Sequence, residues 1–132
     1  MTTAVQSSWV ALVGNPNSGK TAIFNLLTGL NQKVSNYPGV TVEKKTGQAR
    51  FADGSKFYIL DLPGTYSLTA ESMDERIVTE QVLNWIHGHE PPGVIVSVVD
   101  ATNLSRNLYL TTQLADLGIP VVVALNMMDM VK

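Results

Sequence analysis

Gly14-Asn15-Pro16-Asn17-Ser18-Gly19-Lys20-Thr21 forms an uninterrupted G-x-x-x-x-G-K-[S/T], placed directly after the apolar run of residues 9–13. A strand, this loop and then a helical pattern is the context in which the spacing means phosphate binding. Small residues let the backbone curl so that successive N–H groups face phosphate oxygens. A helix opening near Lys20 adds the positive end of its dipole. All eight residues are therefore expected around a phosphate chain, with Lys20 reaching the β- and γ-phosphates and the Thr21 hydroxyl ligating Mg²⁺. The ligand class is a nucleoside triphosphate.

Two further spacings extend this chemistry. Asp61-Leu62-Pro63-Gly64 is a D-x-x-G directly after an apolar run. Alone it is a weak signal, because any turn can contain it. Beside a phosphate loop, Asp61 is expected to hold Mg²⁺ through water, and the Gly64 N–H to meet a γ-phosphate oxygen. Asn126-Met127-Met128-Asp129 is an N-x-x-D after another apolar run, and here chemistry selects the base. Guanine offers N1–H and the exocyclic amine on one edge, and an ionised Asp129 accepts both; adenine has no such pair. A wrong base would leave the carboxylate buried and unpaired. Asn126 is expected to tie this loop back to the phosphate loop.

The elements that must position these residues follow from periodicity and punctuation. Residues 9–13 read as a buried strand and Lys20–Thr28 as a helix stopped at Gly29. Residues 31–39 show no periodicity and contain Pro38-Gly39, so they read as a loop. Residues 42–51 and 56–60 read as strands joined through Asp53-Gly54. Ser72-Met73-Asp74-Glu75 has capping-box spacing and opens a predicted helix to about Ile86. Pro91-Pro92-Gly93 precedes a β-branched strand, residues 94–99. A helix over 104–117, stopped at Gly118, leads past Pro120 to a last strand over 121–125. Strands alternating with helices predict an α/β fold, a mostly parallel sheet covered on both faces with one antiparallel edge hairpin. Ligands in such sheets bind beyond the carboxyl ends of the strands, and all three motifs fall at such ends.

Composition narrows the alternatives. The 132 residues make one domain, 45% hydrophobic and 15% charged, with a net charge of −2. That balance gives no electrostatic case for nucleic acid. With no cysteine, disulfides, thiolate zinc sites and cysteine-ligated clusters are excluded. Residues 1–8 carry no basic residue and do not resemble a signal peptide. No apolar stretch approaches the roughly 20 residues of a membrane-spanning helix, so this piece is expected to be soluble. His87 and His89 beside Glu90 lie between a helix end and Pro91-Pro92, where polar residues are usually only solvated. Met127, Met128 and Met130 read as packing beside a buried strand, Trp85 as packing of helix on sheet, and Lys44-Lys45 as too small for a nucleic-acid patch.

In this order, the three motifs resemble those of Ras-like GTPases. The surrounding text is narrower: GNPNSGKT at 14–21, NYPGVTVE at 36–43, DLPGTYSL at 61–68 and DATNLSRNLYL at 100–110. Over residues 9–129 these resemble the N-terminal G domain of FeoB, the bacterial ferrous-iron transporter. The resemblance implies a three-layer Ras-like fold and a switch I around Gly39-Val40-Thr41. There the backbone would touch the γ-phosphate and the Thr41 side chain would complete the Mg²⁺ shell. It implies a switch II over residues 64–76, both switches ordering on γ-phosphate contacts. It also implies K⁺ stimulation, with Asn17 helping to seat the ion where an arginine finger would otherwise act; an ordinary turn role for Asn17 stays open. Expected partners are GTP or GDP, a helical regulatory region and a membrane iron-permease domain, on the cytoplasmic side of the bacterial inner membrane.

Three departures qualify the picture. Thr65 and Tyr66 follow D-x-x-G where many small GTPases place a water-orienting glutamine, so no side chain is assigned as general base and hydrolysis is expected to be slow. Met127 stands where many relatives have a lysine along the purine, and its thioether can supply that apolar contact. The sequence ends at Lys132, short of elements that relatives add after N-x-x-D. A chain of this extent would leave an apolar sheet edge open to self-association. Two other readings stand beside the hydrolytic switch: a GTP/GDP-sensing module without significant turnover, and a ribosome-associated GTPase.

Overall fold

The computed structural model describes residues 9–69 and 71–126. Strand β1 (Trp9–Gly14) leads into helix α1 (Lys20–Thr28), then strands β2 (Gln32–Asn36), β3 (Glu43–Arg50) and β4 (Lys56–Asp61). Helix α2 (Met73–Ile86), strand β5 (Val94–Asp100), a 3₁₀ turn (Ala101–Asn103), helix α3 (Leu104–Ala115) and strand β6 (Val121–Asn126) complete it. The six strands form one sheet in the order β2-β3-β4-β1-β5-β6. From β4 to β6 all neighbours are parallel; β2–β3 and β3–β4 are antiparallel.

Residue alternation along the strands explains the two covered faces. Ala11 and Val13 of β1 point into one core with Leu60, Ile95, Val78 and Val82 of α2, and Leu110 and Leu114 of α3. Leu12, between them, points the other way and meets Phe24 of α1, Ala49, Ile59 and Val98. A strand buried on both sides needs apolar residues at every position, so β1 reads as a continuous run. Trp85 closes the first core edge-on against Trp9, ring centroids 5.7 Å apart at 68°.

Two helices begin differently. Gly19, with φ 91°, turns the chain into α1, which has no side-chain cap. Its first N–H groups therefore stay free of any cap acceptor. Helix α2 is capped: Ser72 Oγ accepts from the Glu75 N–H at 3.1 Å. The Glu75 carboxylate reaches back to the Glu71 N–H, one residue beyond the N-cap N–H that a capping box would engage.

The one reassignment falls within residues 31–39, read as a loop. Residues 32–36 are strand β2, at one edge of the described sheet, paired antiparallel with β3. Every residue of β2 is exposed, so it buries no face and carries no alternation to read. Its backbone pairs with β3, and the Gln32 carboxamide ties its start to α1 through Asn25 Oδ1, Thr28 Oγ1 and Gly29 O. α3 ends at Ala115, before the expected Leu117, and β6 extends to Asn126.

Candidate nucleotide site at the carboxyl ends of the strands

Parallel order places the ends of β1, β4, β5 and β6 together. The Leu62 N–H donates to Leu12 O at 3.1 Å and the Thr65 N–H to Gly14 O at 3.0 Å, so the D-x-x-G turn is sewn to the start of the phosphate loop. Gly64 lies so close to that loop that a Cβ there would stand 3.0 Å from the backbone of Pro16. Only glycine allows this approach.

Within the loop, Asn17 takes a left-handed φ of 65°, and the Ser18 N–H donates to Asn15 O at 3.2 Å. Pro16 and Asn17 are exposed, whereas Asn15 and Ser18 are buried. The Asn15 carboxamide and the Ser18 hydroxyl have no hydrogen-bond partner among the described residues. The loop is thus held by its backbone, with its N–H groups undisputed by nearby side chains.

A cleft of about 440 Å³ opens beside the loop, lined by Lys20, Thr21, Thr41, Asp61 and Gly64 among others. Four of the predicted cation and phosphate contacts therefore share one space with the lysine. Gly39 and Val40 do not line it. They lie in the turn behind Thr41, closed by Tyr37 N–H to Val42 O at 3.0 Å and Val40 N–H to Tyr37 O at 3.3 Å. The predicted donors, the Asp61 carboxylate and the Thr21 and Thr41 hydroxyls, suit a hard cation, which prefers oxygen ligands; the Glu43 and Asp74 carboxylates and the Lys45 ammonium also line the cleft.

Lys20 does not project freely into the cleft. Its ammonium is ion-paired with the Asp61 carboxylate, both side chains buried. Asn126 Nδ2 donates to Ser18 O at 3.0 Å, joining the end of β6 to the phosphate loop. Met127 and Asp129 lie outside the described residues.

Thr65 is 1% exposed. Its hydroxyl donates to Ser67 O at 2.7 Å and lies 3.4 Å from the Glu75 carboxylate. The segment after it is held on α3: the Arg106 guanidinium stacks 4.0 Å from the Tyr66 ring centre, and the Leu68 N–H donates to Gln113 Oε1 at 2.9 Å. One residue that motif reading passes over is Tyr37, a buried phenol whose hydroxyl lacks a partner among the described residues. Burial, reinforced by the negative charge of Asp61, pushes its pKa up to about 12. Its sequence signal is its place in NYPGVTVE at 36–43, where no role falls to it. His89 lines a separate cleft of about 1040 Å³ that includes none of the motif residues.

Comparison with known proteins supplies the family. The profile described as ferrous iron transport protein B matches residues 8–132. The chain is 53% identical over 114 residues to the Fe(2+) transporter FeoB of Methanocaldococcus jannaschii, covering 86% of this chain and 16% of that protein. It is 50% identical over 127 residues to the Fe(2+) transporter FeoB of Salmonella typhimurium, covering 93% and 16%. The chain thus spans about one-sixth of the curated relatives it matches. Among solved structures, the cytosolic domain of L. pneumophila FeoB is 52% identical with a TM-score of 0.84, covering 92% of this chain and 46% of that one. A mutant S. thermophilus NFeoB bound to GDP is 51% identical with a TM-score of 0.82, covering 93% and 46%. The G domain of the T. maritima FeoB is 40% identical with a TM-score of 0.82, covering 92% and 73%.

Proposed function

Because this chain belongs to the ferrous iron transport protein B (FeoB) family, we propose that it is a GTP-binding switch domain that hydrolyses GTP slowly. In this reading it regulates ferrous iron uptake through a membrane domain of the same protein, on the cytoplasmic side of the bacterial inner membrane. No described helix is long and apolar enough to cross a membrane. The observation that carries the reading is the convergence of Lys20, Thr21, Thr41, Asp61 and Gly64 on one cleft.

Each residue has a stated task. Lys20 and Asp61 form a buried ion pair, and neither can lose its partner cheaply. A phosphate chain with its cation offers both a replacement: Lys20 turns to the phosphates and Asp61 to the metal side. Mg²⁺, when bound, would supply positive charge to the phosphates, held by the Thr21 and Thr41 hydroxyls and, through water, by the Asp61 carboxylate. Asn17, exposed on the loop, is the candidate contact for K⁺. The Gly64 N–H faces the γ-phosphate. Asn126 holds the base-reading loop against the phosphate loop, and Asp129 accepts the guanine donors with Met127 along the ring.

Thr65 accounts for the slow rate. Its hydroxyl is committed to Ser67 O, so water positioning falls to backbone groups and cation charge. The same observation favours a second reading, a GTP/GDP-sensing module without significant turnover, and phosphate release followed over hours separates the two. The primary test is competition of GDP and ADP against a fluorescent guanine nucleotide with Mg²⁺ present. Strong preference for GDP is expected; equal competition by ADP sinks the assignment. Asp129→Asn is expected to move preference towards xanthine nucleotides, whose edge presents an acceptor where guanine presents a donor.

A further inference from the structure

The segment from Gly64 to Leu68 is anchored at both ends. At its start the Thr65 N–H donates to Gly14 O at 3.0 Å and Gly64 lies against the Pro16 backbone, which presents Gly64 to the cleft. At its end the Leu68 N–H donates to Gln113 Oε1 at 2.9 Å, and Leu68 O accepts from the Thr79 hydroxyl at 3.3 Å. The Leu68 side chain packs on the core that holds Leu110 and Leu114. Arg106, Leu110 and Gln113 stand at i, i+4 and i+7, so one face of α3 meets this segment. Core packing accounts for Leu68 and Leu110. It does not account for Arg106, an exposed residue whose guanidinium lies 4.0 Å from the centre of the Tyr66 ring. Tyr66 is itself 38% exposed. The contact therefore adds little to the core and acts as a clasp on the residue two places after Gly64.

We propose that Arg106 is a positioning residue for the triphosphate: by clasping Tyr66 it holds the Gly64 N–H where the γ-phosphate arrives. The proposal rests on the reading above, in which that N–H meets the γ-phosphate. Ordering the segment beforehand removes its entropy cost from the binding step. GDP has no γ-phosphate and makes no demand on Gly64, so the clasp favours the triphosphate alone. A cation over an exposed aromatic face corresponds to about a two- to fivefold change in an equilibrium constant.

The test measures the affinity of the full chain for a non-hydrolysable GTP analogue and for GDP, with Mg²⁺ present. Arg106→Ala keeps a strong helix former in α3. It is expected to lower analogue affinity about threefold and to leave GDP affinity unchanged. Arg106→Lys returns a cation to the ring and is expected to recover most of the loss. Tyr66→Phe keeps the aromatic face and should lose less than Tyr66→Ala. In the Tyr66→Ala background, Arg106→Ala should have no further effect, because the two residues act as one contact. An unchanged ratio of analogue to GDP affinity overturns the proposal. So does an equal loss for both nucleotides, which would give the contact a purely structural role, and so do additive losses in the double variant. Wild-type protein that binds neither nucleotide overturns the proposed function, whereas wild-type binding with an unchanged ratio in the variants removes this inference alone.

Discussion

Lys20 and Asp61 are 8% and 4% exposed and neutralise each other at the floor of the cleft. Removing either charge strands the other in a low-dielectric setting. Lys20→Ala is accordingly expected to do two things: abolish tight triphosphate binding, and destabilise the nucleotide-free protein by about 3–5 kcal/mol. Urea unfolding without nucleotide measures the second effect, and an unchanged midpoint would contradict the buried pair. Tyr37 supplies a pH prediction. Its folded-state pKa, about 12, lies above the ordinary 10.0, so folding favours the protonated phenol. That contribution is complete below pH 10 and is lost as pH rises towards 12. In thermal unfolding across this window, wild type should lose more stability than Tyr37→Phe; parallel profiles would contradict the shift. Lys20, Asp61 and Thr65 were all legible from spacing. The Lys20–Asp61 pairing and the Tyr37 hydroxyl were not, because spacing along the chain carries no information on which buried polar groups meet.

The contrast between α1 and α2 shows how a helix end declares its role. α1 opens on Gly19 with no side-chain acceptor for its first N–H groups, the arrangement suited to an anion. α2 opens on Ser72, whose hydroxyl meets Glu75 N, with Asp74 and Glu75 favourably placed in its first turn. Ser72→Ala is expected to cost about 1 kcal/mol, read as a lower urea midpoint with nucleotide binding nearly unchanged; a loss of nucleotide affinity of tenfold or more would mean that this cap also sets the switch II loop. Both helix starts are visible in sequence, because caps and glycines act over three or four residues. β2 was missed for the opposite reason. With all its residues exposed it lacks a buried face, and only its register with β3 makes it a strand.

Across the whole molecule, the sheet order decides which distant segments share a cleft. β1 lies between β4 and β5, and β6 beyond β5, so the phosphate loop, the D-x-x-G turn and Asn126 meet at one end. The Asn126–Ser18 bond joins groups 108 positions apart in sequence. β6 is the last strand of the described sheet, and Val122 and Leu125 on it are each 53% exposed. We propose that this edge mediates self-association of the 132-residue chain. Light scattering over a wide concentration range should show mass rising with concentration, and a constant monomer mass would remove the idea. The sequence by itself determined the α/β class, the boundaries of most elements and the candidate residues for phosphate, cation and guanine contact. These depend on local chemistry: the period of apolar residues, the turn needs of glycine, and the donor and acceptor identity of each side chain. Only the tertiary structure decided that Lys20 rests on Asp61, that Tyr37 buries a hydroxyl without a partner among the described residues, and that residues 32–36 complete the sheet. Those outcomes depend on which surfaces the strand order brings into contact, and long-range contact leaves no period or spacing in the chain.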